Sequence, residues 1–339
     1  MAKRLPAEWE PQSAVQFTFP HEDTDWAPIR GQVIPCFVEI IEQVCRVQKA
    51  LVVCRDKKKV GEYLKNCPEK QLILVEADSN DSWARDHGAI SFYNEDNRLG
   101  LYDFFFNGWG LKFPANKDNL ITKQLYDMGL FKVKEFLRPR FVLEGGSIES
   151  DGKGTMLTTS ECLLSPNRNP HLTQKEIEAK LKGMFGLKQV LWLNNGYLEG
   201  DDTDAHIDTL ARFCNPETIA YVNCQDTKDS HFDPLKKMEG ELLAFRQFNG
   251  KPYKLLPLPM PDAIYNEEGQ RLPATYANFL IINGAVLVPT YRVQQDALAL
   301  ERLAAAFPKR KIIGIDCRPL IWQNGSLHCI TMNFPKGII

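Results

Sequence analysis

Four short segments of this chain hold residue types that can do covalent chemistry. The most specific is the last, Trp322-Gln323-Asn324-Gly325-Ser326-Leu327-His328-Cys329-Ile330-Thr331-Met332. Cys329 offers a nucleophile, since a thiolate attacks electron-poor carbon once a neighbouring group helps to generate it. His328 is adjacent in sequence. The segment reads as strand, where adjacent side chains face opposite ways, so a distant histidine is the better partner. His206 is the candidate, in Asp202-Thr203-Asp204-Ala205-His206-Ile207-Asp208. Read as extended backbone, that segment puts Asp202, Asp204, His206 and Asp208 on one side. Such a face suits a divalent cation, or a general acid–base whose neighbouring acids bind a cationic substrate. A solvated acidic strand is the plain alternative. No His-Glu-x-x-His pattern accompanies it, and the other histidines stand at no ligand-like spacing.

The two remaining segments supply acids at strand ends. Asp81-Ser82-Trp83-Ala84-Arg85-Asp86-His87-Gly88 packs charge and an indole between apolar runs. It reads either as a solvated loop or as a cation pocket, with Asp86 as the carboxylate and Trp83 as the aromatic face. In Val142-Leu143-Glu144-Gly145-Gly146-Ser147-Ile148, Glu144 ends an apolar run before two glycines. It is either a functional acid or one that faces water. Asp151-Gly152-Lys153-Gly154 beyond it is a hairpin turn by composition and lacks the spacing of a phosphate loop.

The elements that must hold these segments alternate. Residues 15–19, 50–54, 71–75 and 218–222 read as strands, and 33–47, 173–185 and 295–307 as helices. Thr173 and Glu176 form a capping-box signature for the second helix. This alternation predicts an α/β fold. Gly, a small residue and an aliphatic residue recur at 88–90, 146–148, 284–286 and 325–327. Carboxylates precede the first two copies, at Asp86 and Glu144. The pattern describes a repeated module whose strand junctions aim acids at one centre.

Composition narrows the class. With 339 residues, 44% hydrophobic, the chain can bury a large core. A formal charge of −2 lacks the footprint of a nucleic-acid binder. No apolar run is long enough for a membrane span, and the first residues are not those of a signal peptide, so a cytoplasmic protein is expected. Nine scattered cysteines without a Cys-x-x-Cys argue against a disulfide framework or a zinc site.

Together the segments resemble the agmatine deiminase family of the guanidine-modifying, or pentein, superfamily. The likeness runs along nearly the whole chain. It includes Pro6-Ala7-Glu8-Trp9-Glu10-Pro11, Ser82-Trp83-Ala84-Arg85-Asp86, Phe106-Asn107-Gly108-Trp109-Gly110, Leu143-Glu144-Gly145-Gly146-Ser147, Ser165-Pro166-Asn167-Arg168-Asn169-Pro170 and His328-Cys329-Ile330-Thr331. It implies one pentein domain over 1–339, with five pseudo-symmetric β/α modules around a central site and no metal or cofactor. Three positions depart from the family's usual pattern: His87 replaces Thr, Ala205 replaces Gly, and Gln323-Asn324-Gly325 replaces part of a glycine run.

The resemblance also implies a mechanism. Asp86 and Asp208 clamp a guanidinium, Cys329 attacks its central carbon, and His206 serves as acid and then base, its ring held by Glu144. Trp83, Trp109 and Asp204 are the candidates for the far end of the substrate. Agmatine leads, giving N-carbamoylputrescine and ammonia on a route to putrescine, because no basic cluster adjoins the motifs to hold a carboxylate. Arg85 and Arg168 are the nearest basic residues. Free arginine or peptidyl-arginine is the alternative substrate. Amidino transfer, or guanidinium binding without turnover, is further off. The expected partner is a small guanidinium molecule, with self-association left open.

Overall fold

Thr173 shows how local sequence sets these elements. Its side chain accepts from the Glu176 amide, Glu176 returns the bond, and Gly186 ends the helix at φ 63°, where a side chain would be strained. The helix Gln174–Phe185 buries Ile177, Leu181 and Phe185, one apolar stripe at four-residue spacing. Helices Arg30–Cys45 and Gln295–Ala306 likewise stand close to where the periodicity puts them. The structure, a computed structural model, describes residues 3–339.

The helices serve as crossovers in a unit that occurs five times. Each unit has a first strand antiparallel to a second, then a helix, then a third strand parallel to the second. One unit is Ile90–Tyr93, Leu99–Tyr102 and Glu135–Leu137, with helix Asp118–Asp127 between the last two. The next is Ile148–Ser150, Thr155–Thr159 and Gln189–Leu193. The third is Ala211–Asn215, Thr218–Asn223 and Lys254–Pro259. The fourth is Leu280–Ile282, Ala285–Thr290 and Lys311–Asp316. The fifth joins both ends of the chain: Met332–Pro335 pairs antiparallel with Gln12–Thr18, which runs parallel to Lys49–Cys54. Leu72–Glu76 extends that sheet by one strand. The α/β modules expected from the sequence are therefore present, and there are five.

The glycine repeat marks only part of this order. Gly88 and Gly146 do precede first strands, at Ile90 and Ile148. Gly284 does not; at φ 75° it turns the hairpin between Leu280–Ile282 and Ala285–Thr290. Gly325-Ser326-Leu327 opens no strand, and the next strand begins at Met332. The true recurring position is the loop that enters each first strand. Asp86, Glu144, His206 with Asp208, Asn278 and Cys329 all stand there, one group for each module. Among the described residues, no helix is long and apolar enough to cross a membrane.

Candidate active site

The entrance loops are tight turns, and this is what points their side chains inward. Asp86 lies in the helical turn Ala84–His87, Glu144 starts the turn Gly145–Ser147, and His206 heads Ile207–Leu210, which contains Asp208. Cys329 sits in a turn closed by the Thr331 amide on the His328 carbonyl, 3.0 Å, and not in a strand. Gly146 lies where these loops converge. A Cβ there would come within 2.6 Å of His206 Nδ1, 2.9 Å of Asp86 Oδ1 and 3.3 Å of Asp208 Oδ1. Three polar groups thus face one small space, and only glycine leaves it open.

The two aspartates are held differently. Asp86 Oδ1 accepts the Gly146 amide and Oδ2 the Trp109 indole N–H, both at 2.9 Å. Burial pushes its carboxyl up, with Asp208 adding and His206 opposing. Asp208 Oδ2 is bonded to His328 Nδ1 at 2.7 Å, and its Oδ1 has no hydrogen-bond partner. Burial would raise this carboxyl too, but His328, His206 and Arg212 outweigh it and hold it below the usual range. Two buried acids pushed apart in this way are a mark of functional sites.

Cys329 Sγ stands 3.9 Å from Asp208 Oδ2 and 3.4 Å from Asn278 Oδ1. Asn278 also accepts the amides of His328 and Cys329, at 2.8 and 3.3 Å, so it fixes the turn that carries the sulfur. Burial, then the charges of Asp208 and Asp86, push the thiol well above its ordinary range. All nine cysteines are buried and free. Cys329 lines a cleft with Asp86, and its sulfur reaches Asp208, beside the space that His206 also faces.

His206 is fully buried, and neither ring nitrogen has a hydrogen-bond partner. Asp86 Oδ1 is 3.6 Å from Nδ1. Burial would lower its pKa, yet Asp86, Cys162 and Glu144 outweigh this and hold it well above the ordinary range. Asp86 and Glu144 carry the effect, because burial keeps the Cys162 thiol protonated. These surroundings favour the imidazolium form of the ring. Glu144 does not grip the ring as the resemblance implied. Both its oxygens take Arg168 Nε, at 2.9 and 3.0 Å, and its influence on His206 is by charge.

Arg168 in turn bonds the Thr203 carbonyl at 2.9 Å and pairs with Asp204. Lys112 pairs with the other Asp204 oxygen at 2.6 Å. Asp202 through Asp208 thus do not line one face. Asp204 and Ala205 have positive φ, 65° and 59°, and the helical turn that follows sends the side chains different ways. The metal reading finds no support in the donor chemistry. Glu144, Cys162 and His206 have ligand atoms within 4.8 Å of one another. However, both Glu144 oxygens are engaged by Arg168.

Above the thiol is a cleft of about 140 Å³. Asp25, Asp81, Asp86 and Asp202 line it with Trp83, Trp109 and Phe113, and none of the described residues in its wall is basic. Burial pushes Asp202 up to about 6 and Asp81 up to about 7. Trp83 packs on Trp26 with ring centroids 5.4 Å apart, and its ring covers Gly325, where a Cβ would lie 2.2 Å from it. Asp204 is absent from this wall, and Asp202, bonded by Asn324 at 3.2 Å, takes its place. Arg85 and Arg168 are both buried and engaged elsewhere. His87 points away too: it meets Thr18 at 3.2 Å, and burial lowers its pKa to about 4.

Backbone strain gathers around the cleft. Among the described residues, seven non-glycine positions have positive φ, and Trp109, Leu111, Asp204, Ala205 and Asn324 are five of them. Residues 108–111 make a left-handed turn, with φ of 66°, 55°, 83° and 68°. Asn107 caps it by accepting the Gly110 amide at 2.9 Å, and Trp109 is thereby turned onto Asp86. Ala205 bears the same strain where glycine suits the backbone best, and its buried methyl offsets part of it. Leu111, 74% exposed, has no such return. Leu111→Gly is expected to raise unfolding free energy by about 1 kcal/mol. The check is a urea titration; an unchanged or lower midpoint would refute strain at this turn.

Sequence reasoning missed Asn278, Arg168 as a structural clamp, and His328. The signal for Asn278 is its place in the repeat, as the fourth module's counterpart of Asp86 and Glu144.

The family model of Porphyromonas-type peptidyl-arginine deiminase matches residues 4–335. A solved structure from Porphyromonas gingivalis, provisionally named arginine deiminase, is 52% identical, covering 99% of each chain with a TM-score of 0.95. A Cys-to-Ser variant of C. jejuni agmatine deiminase, with substrate bound, is 43% identical over 99% of this chain and 97% of that one, with a TM-score of 0.92. A provisionally named agmatine deiminase from Marinomonas sp. (strain MWYL1) is 31% identical over 98% of this chain and 94% of the relative. The fold is that of the pentein proteins.

Proposed function

The chain belongs to the Porphyromonas-type peptidyl-arginine deiminase family, and from that premise we propose that it is an agmatine deiminase. It hydrolyses agmatine to N-carbamoylputrescine and ammonia, on a route to putrescine. One observation carries the choice of substrate. The cleft over Cys329 holds four aspartates and two indoles, and no basic residue among those described. A second positive charge at the far end of the substrate is matched there. The carboxylate of free arginine would find no cation in that wall.

The chemistry follows from the groups around Gly146. Asp86 and Asp208 accept N–H bonds from the guanidinium and fix its plane. The bound cation offsets the two acids that suppress ionisation of Cys329, the thiol releases its proton to solvent, and the thiolate attacks the central carbon. The His206 imidazolium gives its proton to the departing nitrogen. Ammonia leaves, and an amidino-cysteine remains. Neutral His206 then takes a proton from water, hydroxide adds to the carbon, and the C–S bond breaks. The added hydroxyl loses its proton to solvent as the ureido carbonyl forms, and the thiolate is restored. Trp109 orients Asp86 through its indole N–H, and Trp83 walls the path of the alkyl chain.

The test is a panel of agmatine, arginine and arginyl peptides, scored for ureido product with EDTA present throughout. Agmatine is expected to exceed the others in kcat/KM by about 100-fold, the order expected for lost charge-assisted contacts. Equal turnover of arginine or a peptide would overturn agmatine as the substrate.

A further inference from the structure

Beneath the site lies a second layer of charge that no step of the reaction uses. His328 places Nδ1 at 2.7 Å from Asp208 Oδ2 and Nε2 at 2.7 Å from Glu8 Oε2. The ring thus bridges two carboxylates, one through each nitrogen. Glu8 comes from the N-terminal segment. Arg212 lies 3.0 Å and Arg85 3.6 Å from its Oε2, and its Oε1 accepts the Ile281 amide at 2.7 Å. Glu149 shares Arg212 at 3.0 Å, and Arg310 faces Glu8 through space. Around Asp208 stand His328, His206, Arg212, Cys329 and Asp86. Glu8, His328, Arg212 and Asp208 are all buried.

The arrangement has a direction. Asp208 spends Oδ2 on His328 and leaves Oδ1, buried and unpartnered, aimed at the space beside Gly146. An unpartnered buried carboxylate oxygen is costly unless a ligand meets it. Without Glu8 the far side of the His328 ring loses its anchor, and the ring is free to turn away from Asp208 Oδ2. We propose that Glu8 is a positioning residue for the guanidinium reaction, acting through His328 to fix the orientation of Asp208. This rests on the reading of Asp208 as a guanidinium clamp.

The experiment measures agmatine binding by calorimetry between pH 8 and pH 6, in full-length protein carrying Cys329→Ala so that nothing turns over. Glu8→Gln is compared with Glu149→Gln, since each removes one carboxylate from Arg212 but only Glu8 touches His328. Both are expected to unfold more easily. All the proteins should bind less tightly as the pH falls, because Asp81 and Asp202 gain protons at about 7 and about 6. Glu8→Gln alone is expected to bind about tenfold less tightly across the whole range, as a clamp free to turn loses one charge-assisted pair with the cation. His328→Gln, which keeps a neutral donor, should repeat that loss and serves if Glu8→Gln does not fold. Curves for Glu8→Gln and His328→Gln that follow Glu149→Gln would overturn the positioning role. Failure of the Cys329→Ala parent to bind agmatine would instead remove the functional reading, and the inference with it.

Discussion

Cys329→Ala is expected to lower kcat for agmatine by at least about 10⁴-fold, the scale of losing a covalent nucleophile, and to leave agmatine binding in place. The geometry explains why both halves belong together. The sulfur contributes one contact to the cleft, whereas the charge that attracts a cation belongs to Asp86, Asp208, Asp202 and Asp81. The same geometry fixes how the wild-type thiol behaves. Burial and two acids suppress its ionisation. Alkylation at pH 7 is therefore expected to be slow in the free enzyme, and faster when a small unreactive guanidinium fills the space by Gly146, provided that it leaves the sulfur accessible. A thiol pKa unchanged by such a ligand would sink the idea that substrate generates its own nucleophile. Residual activity above about one per cent in Cys329→Ala would remove the nucleophile assignment.

Gly146→Ala should be nearly as damaging, at about 10³-fold or more in kcat/KM, since misplacement by an ångström already costs about 100-fold. The added methyl would take the place of the guanidinium, with His206, Asp86 and Asp208 all inside 3.4 Å. Gly146 is not among the residues with positive φ, so alanine brings no backbone strain. The prediction is read on binding in folded protein: agmatine binding should vanish while near-UV circular dichroism keeps its folded signature, and the unfolding midpoint falls because a methyl 2.6 Å from His206 Nδ1 makes its neighbours shift. Activity within tenfold of wild type would mean that the guanidinium sits elsewhere.

Much of the site was legible because its chemistry is written in residue types. Cys329, His206, Asp86 and Asp208 come from three separated motifs, and the structure brings them to one space beside Gly146. Orientation was less legible, because it depends on conformations that alternation does not encode. Extended backbone would face Asp204 toward the substrate, yet positive φ at 204 and 205 turns it onto Arg168 and Lys112. A strand at Cys329 would turn His328 away from the centre. A turn there lets both side chains serve the centre, one as sulfur and one as a brace for Asp208. Asn278 carries no motif of its own, and only the register of the fourth module identifies it. The α/β modules were legible from periodicity and caps, while their number rested on family likeness.

The pairing of Met332–Pro335 with Gln12–Thr18 has a consequence in time. The strand after Cys329 pairs with one that precedes the other four modules in sequence, Gln16 facing Met332. Those four modules can be complete while the fifth still waits for its outer strand. The acids and His206 are then in place without a seated sulfur, and chemistry begins only when these two strands meet. Closing a loop of this length is slow compared with local folding. The step that finishes the ring is also the step that turns the enzyme on.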